Sequence, residues 1–393
     1  MGWQVSASTD SLEIRFLASL EEIPAERWNA LTGVDYPFLR HEFLQLLEQT
    51  GCCDEASGWQ PCHATLYRDG ELIALMPLYL KTHSYGEYVF DWSWADAWSR
   101  SGLNYYPKLV TAAPFTPATG PRLCLAAGES AEVVYPWLLQ AIRQFADENK
   151  ISSWHVLFPS EEEGELLRRA GTSLRIGSQF HWFNQGYSTF DDFLATFNSR
   201  KRKSLKRERR TVGEQGIELR ILEGDEISDA DWQRFYRFYQ MTYAKRSGHG
   251  GYLSREFFLG LGKAIPEHCV MALAYQNDEA VAGALYFRSS DTLYGRYWGC
   301  EQELDCLHFE ACYYQGIDYC IRKGLQRFDP GAQGEHKIQR GFTPIKTCSN
   351  HWIADEQLRA AIEDFTAREQ PGVEAYIASA SDYLPFKQSN SPD

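Results

Sequence analysis

The sequence predicts a mixed α/β protein in which two successive domains repeat one order of elements. At 393 residues, the chain exceeds a single ordinary core. The order strand, helices, hairpin, helix and strand occurs over about residues 11–160 and again over about 180–330. Each round contains a polar turn between two apolar runs, at Asp69-Gly70 in the first and at Asn277-Asp278 in the second.

The first round of elements covers the amino-terminal half. An alternating run over residues 11–17 predicts the opening strand, and Pro24 is suited to the first turn of the helix that follows. Residues 81–119 show no regular period but carry nine aromatic side chains, so we predict a long functional loop there. The remaining predicted elements are a helix over 38–49, a hairpin of strands 59–67 and 71–80, helices over 131–150 and 161–170, and a strand over 153–158.

The second round begins with a strand over 180–184 and a helix that Thr189 caps. The elements that follow are strand 217–222, helices 229–246 and 255–261, a hairpin of strands 270–276 and 280–287, strand 292–299 and helix 307–323. A hairpin meander with a crossover helix predicts a mixed sheet rather than a dinucleotide-binding fold. We therefore expect domains at residues 1–178 and 179–386, followed by a disordered tail at 387–393.

Composition and charge exclude several classes of protein. Hydrophobic residues make up 44% and charged residues 23%, which is typical of a folded globular protein. The net charge of −14 argues against nucleic-acid binding over the whole surface but allows one local basic site. The ten cysteines show no CxxC spacing, so we expect reduced thiols and no metal site. With no signal-peptide pattern and no apolar run near the ~20 residues of a membrane span, we expect a cytoplasmic protein.

One local basic site does occur in this acidic chain. Eight of the eleven residues from Arg200 to Arg210 are basic. At helical spacing Arg200, Lys203 and Arg207 share one face, with Arg210 near it. Such a row can neutralise several phosphates at once. We therefore predict a face that binds a phosphate-bearing ligand, in preference to a solvated helix face.

A second functional segment follows the strand that we expect to end near Phe328. Pro330, Gly331 and Gly334 allow tight bends and a close approach of a ligand to the backbone. Residues 335–340 then crowd an acid, a proton carrier and two cationic donors into six positions, and these groups can grip an anion and move a proton. They are Glu335, His336, Lys337 and Arg340. Since ligands of open α/β sheets bind beyond the carboxyl ends of strands, we predict a site here rather than an exposed turn.

Distinctive stretches recur along both halves of the chain. In the second half they are Phe180-His181-Trp182, Ser199-Arg200-Lys201-Arg202-Lys203, Tyr297-Trp298-Gly299, Leu307-His308-Phe309-Glu310 and the segment from Gly331 to Phe342. In the first half they are Gly86-Glu87-Tyr88-Val89-Phe90-Asp91-Trp92 and Tyr105-Tyr106-Pro107-Lys108-Leu109. Together with the duplicated order of elements, these stretches resemble the GNAT acyltransferase superfamily in its tandem form. Within it, they resemble the Fem-like peptidoglycan biosynthesis/recognition N-acyltransferase family of bacteria.

The resemblance implies two GNAT-like domains with mixed sheets around a shared cleft, and transfer of an acyl or aminoacyl group to an amine. It implies a phosphate-bearing donor, either acyl-CoA or aminoacyl-tRNA, as co-substrate without a tightly bound cofactor, and an acceptor such as a cell-wall precursor. The donor stays open, because the glycine-rich pyrophosphate loop of acetyl-CoA enzymes is not evident. The alternative is a non-catalytic protein that uses the same groove to bind a cell-wall precursor or RNA.

Acyl transfer to an amine needs a base, a group that polarises the carbonyl, and a means of holding both reactants. His336 is the best candidate base, because an unperturbed imidazole titrates near pH ~6.5, and Glu335 or Glu310 would orient or replace it. The resemblance makes further residues candidates for binding the donor and the acceptor. They are Arg200, Lys201, Lys203, Arg207, Arg296, Trp298, His308, Gly331, Gln333, Gly334, Lys337 and Arg340.

Overall fold

The computed structural model describes residues 12–248, 250–332 and 334–387. The chain divides into two compact units, Met1–Gly177 with Lys346–Ala375 and Ser178–Ile345 with Tyr376–Asp393. Residues 346–375, which the predicted division assigns to the second domain, thus belong to the first unit, because the strand there pairs with a strand of that unit. Of the predicted tail only Lys387 lies within the described residues, and its backbone N–H donates to the carbonyl of Thr196 at 2.8 Å.

The first unit contains two groups of paired strands. One is antiparallel, in the order β1 (Leu12–Leu17), β3 (His63–Arg68), β4 (Glu71–Met76) and β7 (Cys124–Leu125). The other comprises β2 (Trp59–Pro61), β5 (Tyr79–Lys81), β6 (Lys108–Thr111), β8 (Ser153–Leu157) and the end of β15 (Thr343–Ile353). Its helices are α1 (Ala25–Thr32), α2 (His41–Gln49), α3 (Trp92–Arg100), α4 (Ala131–Asn149) and α5 (Glu161–Arg169).

The predicted hairpin of the first unit is confirmed, and the predicted long loop is partly wrong. Strands β3 and β4 pair across Asp69 and Gly70, whose φ values of 53° and 86° give the left-handed backbone that a tight hairpin needs. Within residues 81–119, however, the chain forms α3, in which Trp94 and Trp98 are both buried. Their spacing of four places them on one helix face, and burial of these two large rings stabilises the helix. The polar residues around them hide the helical period in the sequence.

The second unit is built around one mixed sheet. Strands β10 (Ile217–Glu223), β11 (Cys269–Gln276), β12 (Glu279–Arg288) and β13 (Thr292–Cys300) are antiparallel neighbours. Strand β14 (Arg327–Asp329) runs parallel to β13 and antiparallel to the end of β9 (Ser173–Phe183). The helices are α6 (Phe190–Ala195), α7 (Ser199–Glu214), α8 (Asp229–Ser247), α9 (Arg255–Ala264), α10 (Leu307–Phe309) and α11 (Gln315–Lys323), with a 3₁₀ turn at Glu335–Arg340.

Two irregularities of the second unit contribute residues to one pocket. The register of β12 and β13 shifts between Leu285 and Tyr286, so that Arg296 is an extra residue between their partners Tyr297 and Gly295. Such a bulge bends the strand and re-aims its side chains. A π-helical turn over Glu310–Tyr314 joins α10 to α11. Turns of this kind occur often at functional sites, because they shift the side chains that follow around the helix.

The carboxyl-terminal region adds a helix for which sequence analysis made no prediction. Helix α12 (Glu356–Ser381) runs for 26 residues and contains Pro371. It packs Ile362 into the core with Trp94 and Trp98. No helix within the described ranges combines the length and the apolar character needed to cross a membrane.

Candidate functional site

A pocket of about 410 Å³ lies in the second unit, where the β12/β13 bulge, the π turn and the loop after β14 meet. Its described lining residues include three cationic side chains and two imidazoles, but no carboxylate. These five residues are Arg246, Arg296, His308, His336 and Lys337. Because Arg296 is paired with Asp329 and the pKa of Lys337 is about 7, Arg246 supplies most of the net positive charge of this lining, which suits an oxygen that becomes negative during a reaction.

The floor of this pocket is fixed by a buried ion pair. Arg296, the extra residue of the bulge, places Nη2 at 2.8 Å from Oδ2 of Asp329, and both side chains are 1% exposed. Burial raises the pKa of Asp329, but Arg296, His181 and the backbone N–H of Gly331 together lower it below its ordinary value. Oδ1 of the same carboxylate accepts the backbone N–H of Gly331 at 2.8 Å. The bulge and the loop after β14 are thus held together by one carboxylate.

The loop after β14 uses its glycines to bring a lysine into the pocket. Gly331 and Gly334 have φ values of 88° and 108°, which favour glycine over any other residue. A Cβ atom at Gly334 would also lie 2.6 Å from Cε1 of His336. Beyond these bends Lys337 turns back, and its Nζ donates to the carbonyl oxygens of Gly331 at 2.8 Å and Ala332 at 3.3 Å.

Lys337 is buried, and no carboxylate of the described residues is in ion-pair contact with it. Burial lowers its pKa to about 7; Asp329 opposes this shift, and Arg296 adds to it. A neutral amine can donate its two hydrogens to the two carbonyls and keep its lone pair for an incoming proton. Lys337 therefore has both the pKa and the free lone pair that a general base needs near neutral pH.

His336 lies at the edge of the pocket and contacts the π turn. Its Nε2 is 2.9 Å from the hydroxyl of Tyr313. Partial burial, and then the charges of Lys337 and Arg340, lower the pKa of His336 to about 4. The imidazole is thus neutral near pH 7, and it is a weaker base than the neighbouring lysine.

Other predicted residues line the same pocket. The rings of Trp298 and His308 meet edge to face at a centroid distance of 5.5 Å. Burial, and then the charge of Arg246, lower the pKa of His308 to about 4. A neighbouring pocket of about 680 Å³ shares Arg246, Trp298 and His308 with the first. Because the two pockets share these three lining residues, they adjoin, and a long substrate can extend from one into the other.

Three predicted residues have structural contacts outside the pocket lining. Glu310 is buried and pairs with Arg209 at 3.0 Å. Glu335 is exposed and accepts the hydroxyl of Tyr376 at 2.8 Å. The guanidinium of Arg340 pairs with Glu208 at 2.9 Å and lies 3.4 Å from the ring centroid of Phe309. The catalytic roles of Glu310 and Glu335 stay predictions, and Gln333 lies outside the described residues.

The basic run forms helix α7, with Asn198 as its cap. Leu205 and Val212 face the core, whereas the predicted row of Arg200, Lys203, Arg207 and Arg210 is exposed. Lys201 is half-buried and its ammonium contacts the side-chain oxygen of Gln339. Two ion pairs connect this helix to the pocket region: Arg209 with Glu310 on the π turn, and Glu208 with Arg340 on the 3₁₀ turn. The basic face is thus fixed to the elements that form the pocket.

Sequence analysis did not predict several of the lining residues, among them Arg246, Cys312 and Tyr313. Arg246 is exposed near the end of α8, and Cys312 and Tyr313 lie on the π turn. The run of aromatics in the predicted helix 307–323 was a signal for Tyr313. The π turn decides which of those rings faces the pocket, and a regular helical period does not show that turn.

Comparison with known proteins identifies the family of this chain. A profile of the FemAB-like family, described as peptidoglycan biosynthesis/recognition, matches residues 19–388. No curated protein sequence matches the chain significantly.

Solved structures resemble the fold at low sequence identity. The carboxyl-terminal domain of a putative lysylphosphatidylglycerol synthetase from Agrobacterium fabrum superposes with a TM-score of 0.53 and 10% identity, over 88% of this chain and 97% of that one. FemX superposes with a TM-score of 0.52 and 12% identity, over 87% and 98%. A tandem GNAT protein from the clavulanic acid biosynthesis pathway has a TM-score of 0.45 and 8% identity, over 88% and 99%. The predicted mixed α/β fold of the Fem type is confirmed, and the chain belongs to the FemAB-like family.

Proposed function

We propose that this protein is an N-acyltransferase, which moves an acyl or aminoacyl group from a phosphate-bearing donor to the amine of a cell-wall precursor. The observation that carries the proposal is Lys337, a buried amine with a pKa of about 7 in a pocket without a lining carboxylate. Family membership supports the choice of a peptidoglycan-related acceptor. The pocket in the second unit is the proposed place of the chemistry.

The reaction requires two proton transfers and one exchange of bonds at the acyl carbon. Lys337, as the neutral amine, takes a proton from the ammonium of the acceptor. The freed nitrogen lone pair attacks the acyl carbonyl carbon, and the bond from that carbon to the donor's sulfur or oxygen breaks. The second proton of the attacking nitrogen passes to this departing sulfur or oxygen. We place the carbonyl oxygen against the backbone of the bulge at Arg296, where the positive pocket stabilises the negative charge that develops on it.

The exposed face of α7 is the proposed binding site for the donor's phosphates. Arg200, Lys203 and Arg207 form its row of cations, and none of them has an ion-pair partner among the described residues. Acyl-CoA and aminoacyl-tRNA both present several phosphates to such a row. The larger polyanion engages more of these cations and therefore has the steeper salt dependence.

The test is a binding and transfer screen of acyl-CoA and aminoacyl-tRNA, each combined with soluble amine-bearing cell-wall peptides. We expect one donor to bind and its acyl group to appear on the amine. Arg200→Glu with Lys203→Glu should weaken donor binding and flatten its salt dependence. The matched control is Arg234→Glu with Lys263→Glu, which makes the same change of charge at exposed positions on α8 and α9. If a ligand binds but no acyl group is transferred, the result would instead support the alternative, a non-catalytic recognition protein.

A further inference from the structure

Helix α7 has two faces, and the proposed reaction uses only the exposed one. The opposite face repeats at spacings of three and four residues: Leu205 and Val212 are buried there, and Glu208 and Arg209 are partly buried. Glu208 is the only acidic residue among the eleven at positions 200–210. This acid therefore faces the interior of the second unit and not the proposed site of the donor's phosphates.

Glu208 joins three elements of the second unit through one carboxylate oxygen. Its Oε2 accepts from Nη2 of Arg340 at 2.9 Å and from the hydroxyl of Tyr314. Arg340 belongs to the 3₁₀ turn and Tyr314 to the π turn. The side chains of Glu208 and Arg340 are only 18% and 8% exposed, so this ion pair is screened less by salt than a surface pair.

Arg340 connects this carboxylate to the backbone next to Lys337. Its Nη1 donates to the carbonyl oxygen of His336 at 2.8 Å. That carbonyl and the N–H of Lys337 belong to one planar peptide unit. The N–H of Lys337 in turn donates to the carbonyl of Gly334 at 3.0 Å. The peptide plane that leads into Lys337 is thus held on both sides.

Arg340 stays on the carbonyl of His336 because Glu208 balances its charge. The guanidinium lies 3.4 Å from the ring centroid of Phe309 and is largely withdrawn from water. A buried cation that loses its carboxylate is strongly unfavourable. Without Glu208 we therefore expect the guanidinium to turn toward solvent and to release the carbonyl.

The peptide plane matters because it sets the direction of the Lys337 side chain. Nζ of Lys337 reaches back to the carbonyl oxygens of Gly331 at 2.8 Å and Ala332 at 3.3 Å. A rotation of the plane swings the bond from Cα to Cβ, which moves Nζ away from both acceptors and lets water reach the amine. A displacement of about 1 Å in a catalytic group can cost about 10²-fold in rate.

We propose that Glu208 is a positioning residue for the general base: through Arg340 it fixes the peptide plane between His336 and Lys337 and keeps the lysine amine in the pocket. This role rests on the proposed function of Lys337 as the base. It goes beyond that function, because Glu208 lies outside the described lining of the pocket. The same helix carries the proposed donor face, so one rigid element sets the places of both the donor's phosphates and the base.

An NMR titration of the lysine amine tests this role without any substrate. The protein carries [¹³Cε]lysine, and the signal of Lys337 is identified by its loss in Lys337→Met. We expect a midpoint near pH 7 in the unchanged protein and a midpoint at least about one pH unit higher in Glu208→Ala, because water reaches a displaced amine. Glu208→Gln should keep the midpoint, since its amide oxygen still accepts from Arg340. The matched control is Glu214→Ala, which removes the same charge from an exposed position of α7.

Kinetics with the donor and acceptor found by the screen give a second readout. Glu208→Ala should lower kcat by ~10–100-fold, and Glu208→Gln should stay within about threefold of the unchanged protein. Because Glu208 acts through Arg340, adding Glu208→Ala to Arg340→Met should not lower kcat further. The double variant leaves neither charge of the pair unpartnered, so it remains a valid test even if Glu208→Ala alone fails to fold.

The proposal is overturned if the Lys337 midpoint is the same in Glu208→Ala and Glu214→Ala. It is also overturned if Glu208→Gln loses as much activity as Glu208→Ala, or if the double variant is slower than Arg340→Met. A midpoint near pH 10 in the unchanged protein would refute the general base and its positioning together. A midpoint near pH 7 in every variant would refute the positioning alone, so the two failures are distinguishable.

Discussion

Lys108 of the first unit and Lys337 of the second are both buried almost completely, and these two lysines differ in their protonation. In the first unit Lys108 contacts two carboxylates; burial lowers its pKa, but Glu87 and Asp91 more than offset this and raise it above the ordinary value. In the second unit Lys337 contacts only carbonyl oxygens, and burial lowers its pKa to about 7. The charge of the partners, and not the extent of burial, decides whether a buried lysine keeps its proton.

The two lysines therefore suit different tasks. A lysine that is held protonated between two carboxylates is a fixed cation, which can position a loop but cannot exchange a proton. A lysine with a pKa near 7 is half protonated at neutral pH, and both its forms are available to a reaction. Each consequence can be measured separately, as a change in reaction rate for Lys337 and as a change in stability for Lys108.

The largest effect is expected when the second lysine loses its amine. Lys337→Met should lower kcat/KM for the donor and acceptor found by the screen by ~10²–10⁴, the range typical of a lost general base. The free energy of unfolding should change by less than about 1 kcal/mol, because a desolvated amine without a carboxylate contact contributes little stability. The control is Lys323→Met, at a half-exposed lysine of α11. Unchanged turnover by Lys337→Met would contradict the assignment.

Replacement of the first lysine, Lys108, should have the opposite result: its main effect should be a loss of unfolding free energy rather than of reaction rate. Lys108→Met leaves the carboxylates of Glu87 and Asp91 buried without their cation, which should cost the first unit ~3–5 kcal/mol of unfolding free energy. Lys81→Met is the matched control in the same unit. Lys81 is equally buried but contacts the ring of Trp59 at 3.8 Å instead of a carboxylate, so its replacement should cost far less. Similar losses in both variants would show that burial alone determines the cost.

The pH dependence tests which residue is the base. Because the folded pKa of Lys337 is lowered to about 7, the neutral form that accepts a proton predominates above that pH. We expect kcat/KM to rise about tenfold per pH unit below pH 7 and to level above it. His336→Ala should leave the inflection in place, because the pKa of His336 is about 4. An inflection that disappears in His336→Ala would return the base role to the histidine.

Local chemistry made much of the fold predictable from the sequence. Asp69-Gly70 predicts the first hairpin because few other residues adopt the required φ values, and the structure confirms this hairpin. The basic face of α7 follows from helical spacing alone, and its row from Arg200 to Arg210 is exposed as predicted. The glycine loop with Gly331 and Lys337 was also identified, because its composition leaves few alternatives to a tight bend.

The features of the fold and of the site that the sequence did not predict depend on contacts between residues that are distant in sequence. The bulge at Arg296 arises from the pairing of two strands, and the buried environment of Lys337 arises from a loop that closes over the sheet. Sequence analysis therefore favoured His336 for its ordinary pKa, although its surroundings shift that pKa to about 4. In the same way, the spacing of Glu87, Asp91 and Lys108 gives no sign that they meet. A pKa is a property of the folded environment, and composition alone does not supply it.

The smallest effects are expected from two tyrosines that hydrogen-bond next to these sites. The hydroxyl of Tyr105 donates to Oδ2 of Asp91 at 2.6 Å next to Lys108, whereas that of Tyr313 lies 2.9 Å from Nε2 of His336 at the pocket edge. Tyr105→Phe should cost ~1.5–3 kcal/mol of unfolding free energy, because the lost bond served a buried charge. Tyr313→Phe should cost only ~0.5–1.5 kcal/mol, since its partner is a neutral ring that water can reach.

Chemical denaturation of both single variants and of the double variant measures these costs. The two tyrosines hydrogen-bond to different described residues and belong to different units, so their effects should add within ~0.5 kcal/mol. If Tyr105→Phe and Tyr313→Phe lose the same free energy of unfolding, the charge of the hydrogen-bond partner does not explain a difference between the two units. The contrast between Lys108 and Lys337 would then need another cause, because it depends on the same distinction between a carboxylate partner and a neutral one.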